Sequence, residues 1–265
     1  MQKIWTMIPF KKYHCLGRDF ILLDNREGAF STFQRAEMAR FCARRFGIGA
    51  SGILRVDKCS GSFIEVRSYN FNGVLAELNV VDAACIAVFA KDLGFLKTPT
   101  NIEINDQIVC CKIVSSHENM HFVNVRMLDS LSVRKIFQHF VMNFGAQFCM
   151  VPMDDVSNTD VEAKGREIAF GKRFPGGANV AFYQPFPNFL EVRHYEHLVD
   201  QETYANGLCA IGAALSHAQN NPIENNYLVR TKGGEARVTF ARSEKVFCNV
   251  EVQVLVNALY SGVYG

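Results

Sequence analysis

Hydrophobic and polar positions alternate with period two through much of this chain, the signature of half-buried strands, and the alternation breaks at a few helical stretches. Residues 13–24 read as strand, loop and strand. Ser31-Thr32, followed at helical spacing by Ala36, Met38, Ala39, Phe41 and Cys42, predicts a capped amphipathic helix. Alternation returns in Ile53-Leu54-Arg55-Val56 and in Ser62-Phe63-Ile64-Glu65-Val66-Arg67. Residues 81–93 are continuously apolar and rich in alanine, which predicts a buried helix, and residues 102–125 read as two or more strands.

The second half repeats this order. Strands are expected around residues 148–151, a helix at about 159–170, and strands at 180–184 and 190–194. A small-residue helix follows at 208–219 (LCAIGAALSHAQ), then strands at 227–230, 235–240 and 245–254. The expected fold class is α/β in the α+β sense, with two pseudo-symmetric halves, 1–125 and 126–265. Each half is expected to wrap a mixed sheet around a central alanine-rich helix, and the last strand is free to return to the N-terminal half. The halves meet near residues 126–143 without a Pro/Gly/Ser linker, which predicts a tight interface with a ligand cleft between them.

Composition narrows the partners. The 265 residues are 49% hydrophobic and 20% charged, and the net charge is +2 from 28 basic and 26 acidic residues without long runs of either sign. Neither nucleic acid nor an anionic membrane is an expected partner; a small molecule is. No stretch reaches the roughly 20 uncharged apolar residues needed to cross a bilayer. Lys3, Lys11 and Lys12 interrupt the short apolar start, so a cytoplasmic location is expected. The nine cysteines are odd in number and contain no CxxC pair, which argues against a disulfide scaffold and against a zinc site; most read as buried small hydrophobes.

Six segments in order carry a resemblance to one family. Tyr13-His14-Cys15-Leu16-Gly17-Arg18-Asp19-Phe20 resembles an MHGLGNDF opening, Phe46-Gly47-Ile48-Gly49 an RHxGVG turn, and Asn70-Phe71-Asn72-Gly73 an FNADGS loop. Met153-Asp154-Asp155-Val156 resembles a VDDV strand end. Arg173-Phe174-Pro175 with Ala178-Asn179-Val180 resembles RFPxRxNI, and Tyr195-Glu196 followed by Glu202-Thr203 resembles YERGxGET. Together they resemble the diaminopimelate epimerase family across nearly the whole chain. The resemblance implies a cofactor-independent, metal-free enzyme. In that family one cysteine removes the α-proton of an amino acid while a second delivers a proton to the opposite face. Each thiolate sits at a helix N-terminus, whose N–H groups lower the thiol pKa and hold the α-carboxylate.

Both thiol positions are changed. The gapless match to the family's CGNGxRC motif begins at Asn79, and the match to GETxACGSG places Asn206 where the second cysteine should stand. An amide has no usefully basic lone pair near neutral pH, so two-thiol epimerisation is unavailable. A shifted alignment would make Cys209 the second thiol at the cost of a three-residue insertion. The ligand positions differ too: the family's asparagine in MHGLGNDF is Arg18, the glutamine of its GVGxDQ segment is Gly52, GNPH appears as Gly145-Ala146-Gln147-Phe148, and the arginine beside Glu196 is His197. A histidine cannot reproduce a bidentate guanidinium grip, so diaminopimelate itself is not the expected substrate. The implied ligand set is Arg18, Asn70, Asn179, Glu196 and the backbone of Gly207 and Leu208.

Without the thiols, proton transfer needs another titratable group. Glu77, Asp82 and Glu202 flank the changed positions, with Asp82 in a first helical turn and Glu202 in a structural place. His14 and His197 lie within motifs, and His194 and His217 do not. Two readings stay open. The first is an isomerase-type enzyme acting on an amino-acid-like carboxylate, racemase/epimerase-like or a single-base proton-shift isomerase, with His197, Cys209, Glu196 or Arg18 involved. The second is a non-catalytic pseudoenzyme that binds such a ligand or a protein partner. A homodimer is expected from the resemblance alone.

Overall fold

The computed structural model describes residues 7–76, 79–95, 98–204, 206–243 and 246–265. In chain order its elements are β1 (Ile8–Cys15), β2 (Arg18–Asp24), α1 (Arg35–Cys42), β3 (Gly52–Ser60), β4 (Phe63–Asn70), α2 (Val80–Asp92), β5 (Thr100–Ile104), β6 (Gln107–His117), β7 (Met120–Met127), β8 (Leu131–Ser132), β9 (Arg134–Ile136), β10 (His139–Asn143), β11 (Gln147–Pro152), α3 (Val161–Ala169), β12 (Asn179–Pro185), β13 (Leu190–Glu196), β14 (Gln201–Thr203), α4 (Gly207–Asn220), β15 (Asn226–Thr231), β16 (Gly234–Ser243) and β17 (Val246–Tyr264). The class is mixed α+β, with few helices and one continuously hydrogen-bonded sheet.

Helix α2 is apolar all round, with Val80 to Ala90 buried at every position, so it must be enclosed rather than laid on a surface. Strands β1, β2, β3, β5, β6, β7 and β17 enclose it, and β11, β12, β13, β15, β16 and β17 enclose α4. The alanines that mark both helices let the strands approach closely. The same succession of parallel pairings occurs around each helix. Strands β2 and β3 pair in parallel across α1, and β4 and β5 across α2. Likewise β11 and β12 pair across α3, and β13 and β15 across α4.

Strand alternation sorts side chains between two layers. Phe20 and Leu22 face α2 while Ile21 and Leu23 join the cluster under α1; Phe148 and Met150 face α4 while Cys149 and Val151 join the cluster under α3. Strand β17 is the seam. Its first part pairs with β16, Leu255 to Asn257 pair with β7, and Val256 to Tyr264 run along β1.

Helix α1 corrects one expectation. It begins at Arg35, not near Ser31-Thr32: Ser31 Oγ accepts from Asn25 Nδ2 at 3.3 Å, and the Glu37 carboxylate reaches back to the Gln34 N–H at 2.8 Å. The β1–β2 hairpin is pinned to this corner by Asp19. Its carboxylate accepts from Ser51 N–H (3.0 Å), Ser51 Oγ (2.7 Å) and both Arg44 amino groups (3.0 and 2.7 Å), and pairs with buried Lys12 at 2.8 Å. Burial works to raise this carboxyl, but the hydrogen bonds from Arg44, Lys12 and Ser51 outweigh it and hold it well below the usual carboxylate range.

A carboxyl held low adds stability above pH of about 4 that is lost as pH falls. Asp19→Asn should therefore lower the unfolding free energy at pH 7 by on the order of 2 kcal/mol. In urea titrations the gap from wild type should narrow towards pH 3; a constant gap would show that the charge is not the cause.

Candidate functional site

The N-termini of α2 and α4 meet. Gly207, the first residue of α4, lies so close to Val80 that a Cβ there would overlap Val80 Cγ2, and the Asn79 amide oxygen is its next neighbour. Asn79 and Asn206 are the N-caps of the two helices. The Asn79 side chain accepts from Val81 N–H at 3.3 Å, and that of Asn206 from Leu208 N–H at 2.9 Å and Cys209 N–H at 3.4 Å. Of the two N–H groups expected to hold a substrate carboxylate, at Gly207 and Leu208, that of Leu208 is thus taken up by the Asn206 cap. Both asparagines are buried, at 4% and 5% exposure.

Around this junction lie charges that few neighbours neutralise. Asp82, in the first turn of α2, is buried; one carboxylate oxygen accepts from Ser68 Oγ at 2.8 Å and the other has no partner among the described residues. Burial pushes its carboxyl up to about 6, opposed by Arg18 and by the Ser68 hydrogen bond and reinforced by Glu196. Arg18 enters from the start of β2, its Nη1 3.9 Å from Glu196 Oε2, its guanidinium against the Phe20 ring, and its Nε buried without a partner among the described residues. At that distance the Glu196 contact is a charge pairing rather than a hydrogen bond. His194, behind Glu196, shares a short hydrogen bond with Thr203 Oγ1. Burial, the largest cause, takes its imidazole down to about 4, so it is neutral at pH 7.

The other expected residues are placed as follows. Cys209 is fully buried in the core and burial drives its thiol well above the usual range. A thiolate there is suppressed, which corrects the one-thiol alternative. Cys85 is driven the same way, beside Cys15. Asn70 Oδ1 accepts from Asn72 and Val74 N–H groups and so builds its own turn. Asn179 Oδ1 holds His197 through its backbone N–H at 3.3 Å and Nδ1 at 3.2 Å. The amide oxygens of both asparagines are therefore occupied within the chain. His14 Nε2 accepts from Gly17 N–H, a turn contact. Glu202 is gripped by Arg193 and Lys232, a structural place as expected. Glu77 lies outside the described residues. Sequence reasoning missed Ser68 and treated His194 as inert; no motif marks either, and only the packing brings them to the junction.

No helix among the described residues is long and apolar enough to cross a membrane. Among the described residues no cluster of His, Cys, Asp and Glu is arranged to hold a metal ion.

A scan of protein-family models returned no match. The chain is 28% identical over 242 residues to a diaminopimelate epimerase of Flavobacterium psychrophilum, covering 90% of this chain and 93% of the relative. It is 28% identical over 253 residues to one of Methanocella arvoryzae, covering 89% and 90%. Among solved structures, a PhzF-family phenazine biosynthesis protein of Bacillus anthracis superposes with a TM-score of 0.72 at 12% identity, covering 98% of this chain and 99% of the other. A hydroxyproline epimerase from Agrobacterium vitis, with trans-4-hydroxy-L-proline bound, gives 0.68 at 12% identity, covering 98% and 93%. At such identities these two structures establish the fold.

The raised Asp82 carboxyl has a measurable consequence. Relative to its ordinary 3.8, a folded value near 6 means that the ionised form is disfavoured in the fold. The penalty is absent below pH of about 4, grows as pH rises, and is constant above about 6. Asp82→Asn should therefore be more stable than wild type at pH 7 to 8, by up to about 3 kcal/mol, with the gain vanishing below about pH 4. Denaturant titrations across that range check it; equal stabilities at pH 8 would contradict the buried, unpaired state.

Proposed function

We propose that this chain, a divergent relative of the diaminopimelate epimerases, is a cofactor-independent isomerase that moves a proton on an amino-acid-like carboxylate other than diaminopimelate. The name of the relatives, diaminopimelate epimerase, supports the isomerase class. The observation that carries the chemistry is Asp82: a carboxyl with one oxygen unpartnered among the described residues, at the α2 N-terminus, facing Arg18 and Glu196. A base titrating near 6 is matched to proton abstraction at neutral pH, and the thiols are not needed for it. In this reading Asp82 takes the α-proton, and Arg18 exchanges its long pairing with Glu196 for the substrate carboxylate, where a guanidinium can bind in two-point fashion. Glu196 then neighbours Asp82 as a second carboxylate that can take the proton on or return it. His194, neutral and buried, orients rather than titrates.

Substrate reaches Asp82 when the two helix N-termini part. We read the units that part as two pseudo-symmetric halves, 1–125 and 126–265, each built on its alanine-rich helix, with β17 bridging them. A cytoplasmic homodimer completes the reading. Asn79 and Asn206 act as caps and not as reagents, Gly207 and Leu208 supply the α4 N-terminus, and Asn179 with His197 forms the wall beside Glu196.

A second reading has its own support. Both helix N-termini are satisfied by their own caps inside a closed, buried shell, the arrangement expected of a pseudoenzyme that keeps the fold for binding. Incubation of the protein with panels of amino acids in deuterated water separates the two readings. The isomerase reading expects deuterium at the α-carbon of at least one recovered compound by mass spectrometry, a rate reduced by about 10²-fold or more in Asp82→Asn, and a raised KM in Arg18→Ala. No incorporation across the panel selects the pseudoenzyme, and undiminished exchange in Asp82→Asn removes Asp82 from the chemistry.

A further inference from the structure

Strand β4 carries the residue that touches Asp82, and a side chain from another strand end holds it there. Ser68 is buried and shares with Ile64 and Val66 the face of β4 packed on α2. Strand β5 runs beside β4 only as far as the pairing of Val66 with Ile104. Beyond it the Asn105 side chain continues the pairing: its amide oxygen accepts from Ser68 N–H at 3.4 Å, and its amide nitrogen donates to Ser68 C=O at 3.3 Å. The same nitrogen donates to Ala76 C=O, and Ala76 N–H donates to Ser68 C=O at 2.9 Å. One amide therefore ties the end of β4 to the chain that precedes α2. Asn105 and Asp106 form the β5–β6 turn with φ of 48° and 69°, backbone that asparagine and aspartate accept more readily than most residues, and this turn aims the Asn105 amide back at β4.

Ser68 Oγ donates to Asp82 Oδ2 at 2.8 Å, and Oδ1 has no partner among the described residues. The torsion that turns a carboxyl is broad for aspartate, so without a fixed donor its two oxygens would exchange places. A hydroxyl suits this task in both charge states of the acid. It donates to the carboxylate, and it still donates to Oδ2 when Oδ1 carries the proton. Neither Ser68 nor Asn105 lies in the six segments that resemble the epimerase family.

We propose that Ser68, held by the Asn105 amide, is a positioning residue for Asp82 that reserves Oδ1 as the oxygen on which the proton is taken and released. This role rests on the reading of Asp82 as the base of the isomerase. Ser68 ends each proton transfer with the proton it started with. The other charged or titratable groups that act with Asp82 are Arg18 from β2, Glu196 from β13 and Cys85 a turn further along α2. Variants at Ser68 and Asn105 leave them in place.

Carboxyl resonances of the full chain, labelled with carbon-13 and with Asp82 identified by its loss in Asp82→Asn, read the positioning without any substrate. Removing a donor to the carboxylate disfavours the charged form. Ser68→Ala should therefore bind the Asp82 proton on the order of tenfold more tightly, moving the titration midpoint up from about 6. Ser68→Thr, which restores the hydroxyl, should bring it back. Asn105→Gly keeps the left-handed turn and removes the clamp, and should move the midpoint in the same direction by less. On whichever amino acid the wild type exchanges in deuterated water, Ser68→Ala should lose about tenfold or more in kcat with KM within about twofold. The acidic limb of its pH profile should rise with the carboxyl midpoint. A midpoint unmoved in Ser68→Ala overturns the positioning role whatever the exchange shows, and so does full-rate exchange by that variant. A midpoint that moves as expected in a protein that exchanges nothing upholds the hold of Ser68 on the carboxyl and removes Asp82 as a base.

Discussion

Gly207 against Val80 is the contact on which the arrangement of this molecule turns. Two helices with no polar face must each be enclosed by strands. Once enclosed, their N-termini are brought together where the missing side chain of Gly207 makes room for Val80. The strand ends that reach this place follow from it: the start of β2 delivers Arg18, the end of β4 delivers Ser68, and the end of β13 delivers His194 and Glu196.

Electrostatics then sets the character of the junction. Its helix N-termini are partly positive and would ordinarily invite an anion, but the two asparagine caps absorb that potential with amide oxygens. The negative charge that remains nearby is Asp82, which gains from the helix end and loses more through burial. Arg18 is the cation that answers both Asp82 and Glu196 without forming a close hydrogen bond to either in this closed state. A charged group left under-satisfied in a buried place has a clear purpose if the state that satisfies it includes a ligand.

The fold tolerates this rebuilding because it depends on pattern more than identity. Relatives at 28% identity cover nine-tenths of the chain, and a structure at 12% identity superposes with a TM-score of 0.72. Alternating strands around an alanine-rich helix can be met by many sequences, since burial asks for size and apolarity rather than particular residues. Reactive positions have no such latitude. At the N-caps of α2 and α4 the demand is local, an amide oxygen for the first free N–H groups, and Asn79 and Asn206 meet it without disturbing the architecture.

Period-two alternation and the two alanine-rich stretches determined the helices at 80–92 and 207–220 to within a residue or so, because a helix with no polar face can only lie inside a sheet. The sequence marked Asn79 and Asn206 only as changed thiol positions, and it is the structure that shows each accepting from N–H groups two or three residues on. Local chemistry misplaced the start of α1, since Ser31 is engaged by Asn25 across a turn. What only the tertiary structure decided is the state of the charged and titratable groups. Burial silences Cys209, lifts Asp82 to about 6 and takes His194 to about 4. Ser68, Asp82 and Asn105, far apart in the chain, meet in one hydrogen-bonded set because β4, α2 and the β5–β6 turn converge there. Desolvation and long-range charge depend on which strands close around a residue, and spacing along the chain carries no record of that.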